Sequence, residues 1–140
     1  MRIAVGTDEV TPVTEAVERH LGAVGHEVVA VANGDPWPDV GRRVGETVAR
    51  GEADVGIVWC WTGTGVSIAA NKVPGVRAAL CTDTETADGA RRWNDANVLA
   101  LGIRLNGQAD DGPAAATAIV DAFLTGAPDG TETENISKLA

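Results

Sequence analysis

Five short apolar runs alternate with helix-length segments along this chain, and that alternation restricts the fold more than any other feature. Arg2 to Gly6, Glu27 to Val31, Asp54 to Trp59, Val76 to Leu80 and Asn97 to Leu101 read as strands. Thr11 to Val24, Val40 to Arg50, the Ala-rich stretch ending at Asn71, Thr84 to Arg92 and Pro113 to Phe123 read as helices. Gly25, Gly51 and Pro74-Gly75 punctuate them. Repeated β-then-α units of this length predict a parallel sheet with helices on both faces. With 140 residues the chain reads as one domain, 1–140, with room for a real core. The polar residues after Gly126 have no core of their own, so 127–140 is expected to fray or to dock on a neighbouring chain.

Charge and composition narrow the function. The formal net charge is −9, which disfavours nucleic acid as a partner, because phosphate contacts need Lys and Arg. No apolar run approaches the roughly 20 residues that span a bilayer, and a strand pattern begins at residue 2. A cytoplasmic protein that does not bind membranes is therefore expected. Cys60 and Cys81 close two different predicted strands and read as reduced thiols. His20 and His26, the only histidines, are distant from both in sequence and read as surface residues. No metal site and no cofactor are expected. Cys81 and Trp59 read as core, and Arg42, Arg43, Arg91 and Arg92 as solvated helix faces.

The segment Cys60-Trp61-Thr62-Gly63-Thr64-Gly65-Val66-Ser67 carries the clearest chemical signal. It puts a thiol where a strand ends and a glycine-rich turn where a helix begins. Ligands of open α/β sheets bind at that edge. Glycines let backbone N–H groups approach a substrate oxygen, and the helix N-terminus adds partial positive charge. A candidate base or nucleophile thus lies beside a candidate oxyanion hole. A free cysteine at such a place can equally be a small buried hydrophobe.

Gly51 through Cys81, Asn94 through Gly102, the opening Arg2-Ile3-Ala4-Val5-Gly6-Thr7-Asp8 and the turn Gly25-His26-Glu27-Val28 closely resemble the type B ribose-5-phosphate isomerases and their galactose-6-phosphate isomerase relatives. The resemblance implies a Rossmann-like three-layer α/β/α sandwich with a five-stranded parallel sheet. It also implies a homodimer, or a tetramer built from it, with sites completed across the subunit interface. By the same resemblance Cys60 is the base that moves a proton between two carbons beside a carbonyl. Thr62, Gly63, Thr64 and Gly65 form the turn that holds the enediolate oxygen. Asp8 binds substrate, and Asn94 sits beside the enediolate.

The departures from the family pattern bear on substrate. Glu9 stands where the family has a histidine after its first aspartate, and Trp93 where it has the histidine thought to open the sugar ring. Trp61 replaces a glycine, and Trp37 occupies the aromatic position of a Tyr-Pro-Asp turn. Thr131 and Asn135 align with two phosphate-gripping arginines, while Arg104 matches a phosphate contact. Phosphate needs several charge-assisted donors, so a weak phosphate grip is expected; the substrate is read as a non-standard carbohydrate-like small molecule, with or without phosphate, and an ordinary ribose-5-phosphate isomerase with compensating residues stays open. The expected function is an aldose–ketose isomerase with Glu9, Trp37, Trp61 and Trp93 around its pocket. The rival reading is a binding protein whose Trp-lined pocket holds a ligand and whose Cys60 is a remnant.

Overall fold

The computed structural model describes residues 1–106 and 112–139. Its elements are β1 (Arg2–Thr7), α1 (Pro12–Ala23), β2 (Glu27–Asn33), α2 (Trp37–Ala49), β3 (Val55–Cys60), α3 (Thr64–Asn71), β4 (Ala78–Leu80), α4 (Thr84–Asn94), β5 (Val98–Gly102), α5 (Ile103–Asn106), α6 (Gly112–Thr125) and α7 (Thr133–Ile136). The strands form one five-stranded sheet in the order β2-β1-β3-β5-β4, and every pairing is parallel. The expected three-layer sandwich is what forms. Ala140, the last residue of the tail delimited in sequence, lies outside the described residues.

Side-chain alternation divides the core between two layers. Val55, Ile57 and Trp59 pack with Val13, Val17 and Leu21 of α1 and with Ile119, Val120 and Phe123 of α6. Val58 and Cys60 face the other way, among Val40, Val44 and Val48 of α2 and Val66 and Ala70 of α3. Period-2 alternation along a strand buried on both faces requires this split. Cys60 therefore belongs to the α2–α3 side.

Glycines set how closely that side packs. A Cβ on Gly6 would lie 2.8 Å from Val44 Cγ2, and one on Gly56 would lie 2.6 Å from Val44 Cγ1. Helix α2 thus rests on bare backbone of β1 and β3. A Cβ on Gly41 would lie 2.6 Å from Ala69 Cβ and 2.7 Å from Val66 O, so α2 and α3 also cross at backbone contact.

Local chemistry explains most element ends. Thr11 and Thr14 form a reciprocal capping box at the start of α1, with Pro12 in the first turn, where its missing N–H costs nothing. Asp83 caps α4 by accepting from Thr86 N at 2.7 Å. Helix α2 starts at Trp37, ahead of the Val40 expected from the apolar period, because Pro38 is tolerated in a first turn. Strand β4 is shorter than read. Val76 N donates to Val73 O and Arg77 N to Asn97 Oδ1, so neither N–H joins the ladder. The short helices α5 and α7 carry too few apolar positions to announce themselves.

Arg91 corrects the expectation of a solvated side chain. Its guanidinium lies 5.4 Å from the centre of the Phe123 ring, Nη1 donates to Ala96 O, and only 16% of the side chain is exposed. The residue lies on the α4 face that meets α6, so its aliphatic stem packs while its head finds a carbonyl. Among the described residues, no helix is long and apolar enough to cross a membrane.

Gly41→Ala is expected to destabilise the fold by about 1–3 kcal/mol, the usual cost of overpacking. Neither the Val66 carbonyl nor the Ala69 methyl can swing aside. Urea denaturation of the variant beside Gly22→Ala, where nothing lies within 4 Å of the added Cβ, measures the difference.

Candidate functional site

Three strand ends converge around Cys60. It is the last residue of β3 and pairs with Gly102 of β5, while Trp59 pairs with Thr7 of β1. Asp8 follows directly, its N–H donating to Trp59 O at 3.3 Å. Thr7, buried at the same edge, shapes the next turn: its hydroxyl donates to Glu9 O at 2.6 Å and accepts from Glu9 N at 3.2 Å. Asp8 is half-buried and Glu9 exposed. Burial, and then the neighbouring Glu9 charge, raise the Asp8 carboxyl above its ordinary value. Neither carboxylate has an ion-pair partner within 4 Å among the described residues.

The turn after Cys60 folds over the end of β5. Gly63 has φ +79°, and a Cβ there would lie 2.8 Å from Leu101 C, while one on Gly102 would lie 2.9 Å from Thr62 O. Only glycine accepts both the left-handed backbone and that approach. The Thr62 and Thr64 hydroxyls share a hydrogen bond of 2.7 Å, and Ser67 N donates to Gly63 O at 3.2 Å. Among the described residues nothing accepts from the N–H groups of Gly65 or Val66. They are two of the donors that the first turn of a helix leaves open. Together with the helix dipole they can hold an anionic oxygen.

Cys60 keeps 5% of its accessible surface. Trp61, the next residue, is 51% exposed, so it does not seal the thiol beneath a buried indole. Its carbonyl accepts from Arg104 N at 3.0 Å, which ties the first turn of α5 to this segment. Trp37 is 45% exposed and lies against Gly65. Cys81 differs from Cys60: it is buried just beyond β4, and desolvation, followed by the Asp83 charge, pushes its thiol up to about 11.

Asp8, Glu9, Trp37, Cys60, Thr62, Gly63, Thr64 and Gly65 thus gather at one end of the sheet. Trp93 and Asn94 lie apart within the chain, lining a cavity of about 460 Å³ with Ala79, Leu80, Glu85 and Thr86. The Trp93 ring covers Gly89, and the Arg92 guanidinium lies 6.0 Å from its centre. At the positions aligned with arginines, Thr131 Oγ1 donates to Asp129 at 2.6 Å and Asn135 Nδ2 to Glu132 at 2.6 Å. Lys138 and Leu139 lie against the chain's own Asn71, Arg77, Ala78 and Asn94 around a cavity of about 440 Å³. Among the described residues, no group of three or more His, Cys, Asp or Glu side chains is placed to hold a metal ion.

Sequence reasoning passed over Thr7, whose β-strand pattern hides the turn it organises. It also passed over what the motif asparagines do for the fold. Asn71 exchanges two hydrogen bonds with the backbone of Ala78, at 2.9 and 2.8 Å. Asn97 bridges Arg77 N and Gly75 O.

The raised Asp8 carboxyl makes a stability prediction. A group that binds its proton more tightly folded than unfolded stabilises the fold below its unfolded value, and that contribution is lost as pH rises through the folded value. At neutral pH the Asp8 charge is therefore a net cost. Asp8→Asn is expected to raise the thermal midpoint at pH 7. The gain should shrink as pH falls through the folded value and be gone below about 4, near the unfolded value, where the carboxyl is neutral in both states. Scanning calorimetry of both proteins across this range reads the effect, and an equal gain at pH 3 would contradict it.

Comparison with known proteins adds to this geometry. The family model described as Ribose/Galactose Isomerase matches residues 3–139. The galactose-6-phosphate isomerase subunit LacB of Clostridium acetobutylicum is 40% identical over 112 residues, covering 76% of this chain and 65% of that subunit. Ribose-5-phosphate isomerase B of Escherichia coli is 39% identical over 128 residues, covering 88% of this chain and 83% of that enzyme. The solved structure of Clostridium thermocellum ribose-5-phosphate isomerase B superposes with a TM-score of 0.89 at 39% identity, over 99% of this chain and 95% of that one. With its five-stranded sheet, its glycine turn and a match spanning nearly every residue, the chain belongs to the ribose/galactose isomerase family.

Proposed function

We propose that the protein is an aldose–ketose isomerase that shifts a proton between two adjacent carbons through an enediolate, with Cys60 as the base. The observation that carries this reading is that Cys60 ends β3 and the turn directly after it leads to the open N–H groups of Gly65 and Val66 at the start of α3. A base must reach the carbon-bound proton, and donors must meet the oxygen on which charge develops. One strand–turn–helix unit offers both. The Thr62 hydroxyl, fixed on Thr64, is suited to the same oxygen. Asp8 is the carboxylate for substrate hydroxyls, and Arg104 remains as a cation near the turn. Trp61, half exposed, offers a face for the C–H surface of a sugar.

The reading includes a homodimer. Trp93 and Asn94 line a cavity whose walls do not include Cys60, and on this reading they serve the site of a second subunit. The substrate is an open-chain or readily opened hydroxy-aldehyde or hydroxy-ketone.

Deuterium incorporation from D₂O into a panel of phosphorylated and free aldoses and ketoses tests the chemistry, because it reports proton abstraction without net turnover. Cys60→Ala should lower incorporation at least about a hundredfold, the low end of what a positioned base contributes. Cys81→Ala should leave it within about threefold, since a thiol held near 11 stays protonated at neutral pH. Equal losses in two folded variants would count against a dedicated base. Failure of every sugar to exchange would favour the rival reading, a Trp-lined binding protein.

Phosphate recognition is expected to be weak. Glu9 stands at the rim, and Thr131 and Asn135 are engaged by neighbouring carboxylates. Two missing charged contacts at ~1.5–3 kcal/mol each weaken binding by roughly two to four orders of magnitude. Ribose 5-phosphate should therefore be used less well than an unphosphorylated sugar, and Glu9→His/Trp93→His should narrow the gap. Turnover of ribose 5-phosphate at a kcat/KM of about 10⁴ M⁻¹s⁻¹ or more would show that the substitutions do not govern substrate choice.

A further inference from the structure

The turn that offers its N–H groups is held from outside by one aromatic ring. A Cβ built on Gly65 would lie 2.9, 3.0 and 3.3 Å from Cε3, Cδ2 and Cζ3 of Trp37. Three ring atoms at such similar distances mean that the benzo face of the indole lies flat on the Gly65 Cα. The ring is itself anchored. Trp37 opens α2 between Pro36 and Pro38, and Asp39 N and Val40 N both donate to Pro36 O. One and two helical turns further along, Gly41 and Gly45 bring α2 against Ala69 and Ala70 at the far end of α3 and against Val73 and Val76 just beyond it. Residues 37, 41 and 45 lie on one face of the helix, so a single seam runs the length of α3. Glycines form its middle and lower end, and an indole forms the end next to the turn.

We propose that Trp37 is a positioning residue of the isomerase site, acting through Gly65 to hold the open N–H groups of Gly65 and Val66 on the developing enediolate oxygen. This rests on the isomerase reading. Gly63 has a left-handed backbone, and among the described residues nothing accepts from the two N–H groups. Their direction therefore comes from packing: Leu80 and the β5 backbone support the turn at Gly63, and the Trp37 ring supports it at Gly65. A larger residue at 65 would collide with the indole, and a smaller one at 37 would leave the turn unsupported. The argument separates positioning from substrate stacking. Donors aimed at an oxygen that becomes anionic act on the transition state and set kcat, whereas a wall that only contacts substrate sets KM.

The first test needs no substrate. Ser67 N–H spans the turn to Gly63 O, so its hydrogen-exchange protection, read by NMR, reports whether the turn is held. Trp37→Ala should lower that protection about tenfold relative to the rest of α3, and Trp37→Phe should keep it within about threefold. Unchanged protection in Trp37→Ala overturns the proposal, whether or not the protein is an isomerase. The second test uses whichever sugar gives the fastest deuterium incorporation. Trp37→Ala should cut kcat at least about tenfold, Trp37→Phe should restore it to within about threefold, and KM should change less than kcat. Gly65→Ala should cost about tenfold beside Trp37 but under about threefold when added to Trp37→Ala, because the collision is gone. A raised KM with kcat unchanged, or Gly65→Ala equally costly in both backgrounds, overturns the proposal by making the ring a substrate wall or a bystander. Cys60→Ala, run in parallel, tests the isomerase reading separately.

Discussion

Helix α2 touches the sheet and helix α3 through backbone, and the rest of the site depends on that closeness. Val40 and Val44 rest where a Cβ on Gly6 would lie, Val44 and Val48 rest where one on Gly56 would lie, and Gly41 admits the backbone of α3. A methyl group at any of these points would push the helix outward. Because interiors are packed as tightly as organic crystals, such a shift would travel along α2 to Trp37 and from there to the glycine turn. Core packing and site geometry are thus one problem on this side of the sheet. On the opposite side, α1, α4 and α6 cover larger strand residues such as Trp59 and Leu101, and Phe123 of α6 packs among them.

Electrostatics at the sheet edge follow from the same topology. Parallel strands all end on one side, and in this chain β1 ends in two carboxylates while α3 begins there with open N–H groups. The helix end is partially positive and the carboxylates are negative, so the edge has a polarity. On the proposed isomerase reading, a substrate hydroxyl would donate to Asp8, and a substrate oxygen that gains charge would turn to α3. Burial raises the Asp8 carboxyl, which marks a group held where water screens it less. Such a group is costly for the fold and useful for binding, the trade commonly met at functional sites.

The fold was legible in the sequence because its signals are local and repeated. Strand-then-helix alternation, glycine stops and caps such as Thr11 and Asp83 all act within a few residues. Cys60 at a strand end and the turn after it were legible for the same reason. What escaped depends on contacts between distant segments. Arg91 reads as a surface charge until Phe123 and Ala96 are brought beside it. Strand β4 reads longer because the acceptor of Arg77 N is a side chain twenty residues away. The relation of Trp37 to Gly65 is invisible in sequence, since nothing within either segment refers to the other. Trp93 and Asn94 read as neighbours of Cys60 only through family resemblance, and within one chain they line a different cavity.

The asparagines show why a close motif match says more about architecture than about substrate. Asn71 ties the end of α3 to β4, and Asn97 ties the loop before β4 to the start of β5. Both belong to the stretches most like the isomerases, yet their side chains are engaged by backbone. Asp95, in the left-handed conformation after α4, likewise accepts from Arg77 through its carbonyl and its carboxylate. These residues hold the crossovers that place the strand ends, so any member of the fold needs them whatever sugar it meets. Glu9, Trp61, Trp93, Thr131 and Asn135 stand at exposed positions where the fold makes little demand, and there this chain departs from the family pattern. A scaffold can keep its proton-transfer centre while its rim changes, because the centre depends on backbone packing and the rim only on side chains. Family membership therefore speaks for the architecture that builds the turn, and on the proposed reading the choice of substrate lies in the residues that differ.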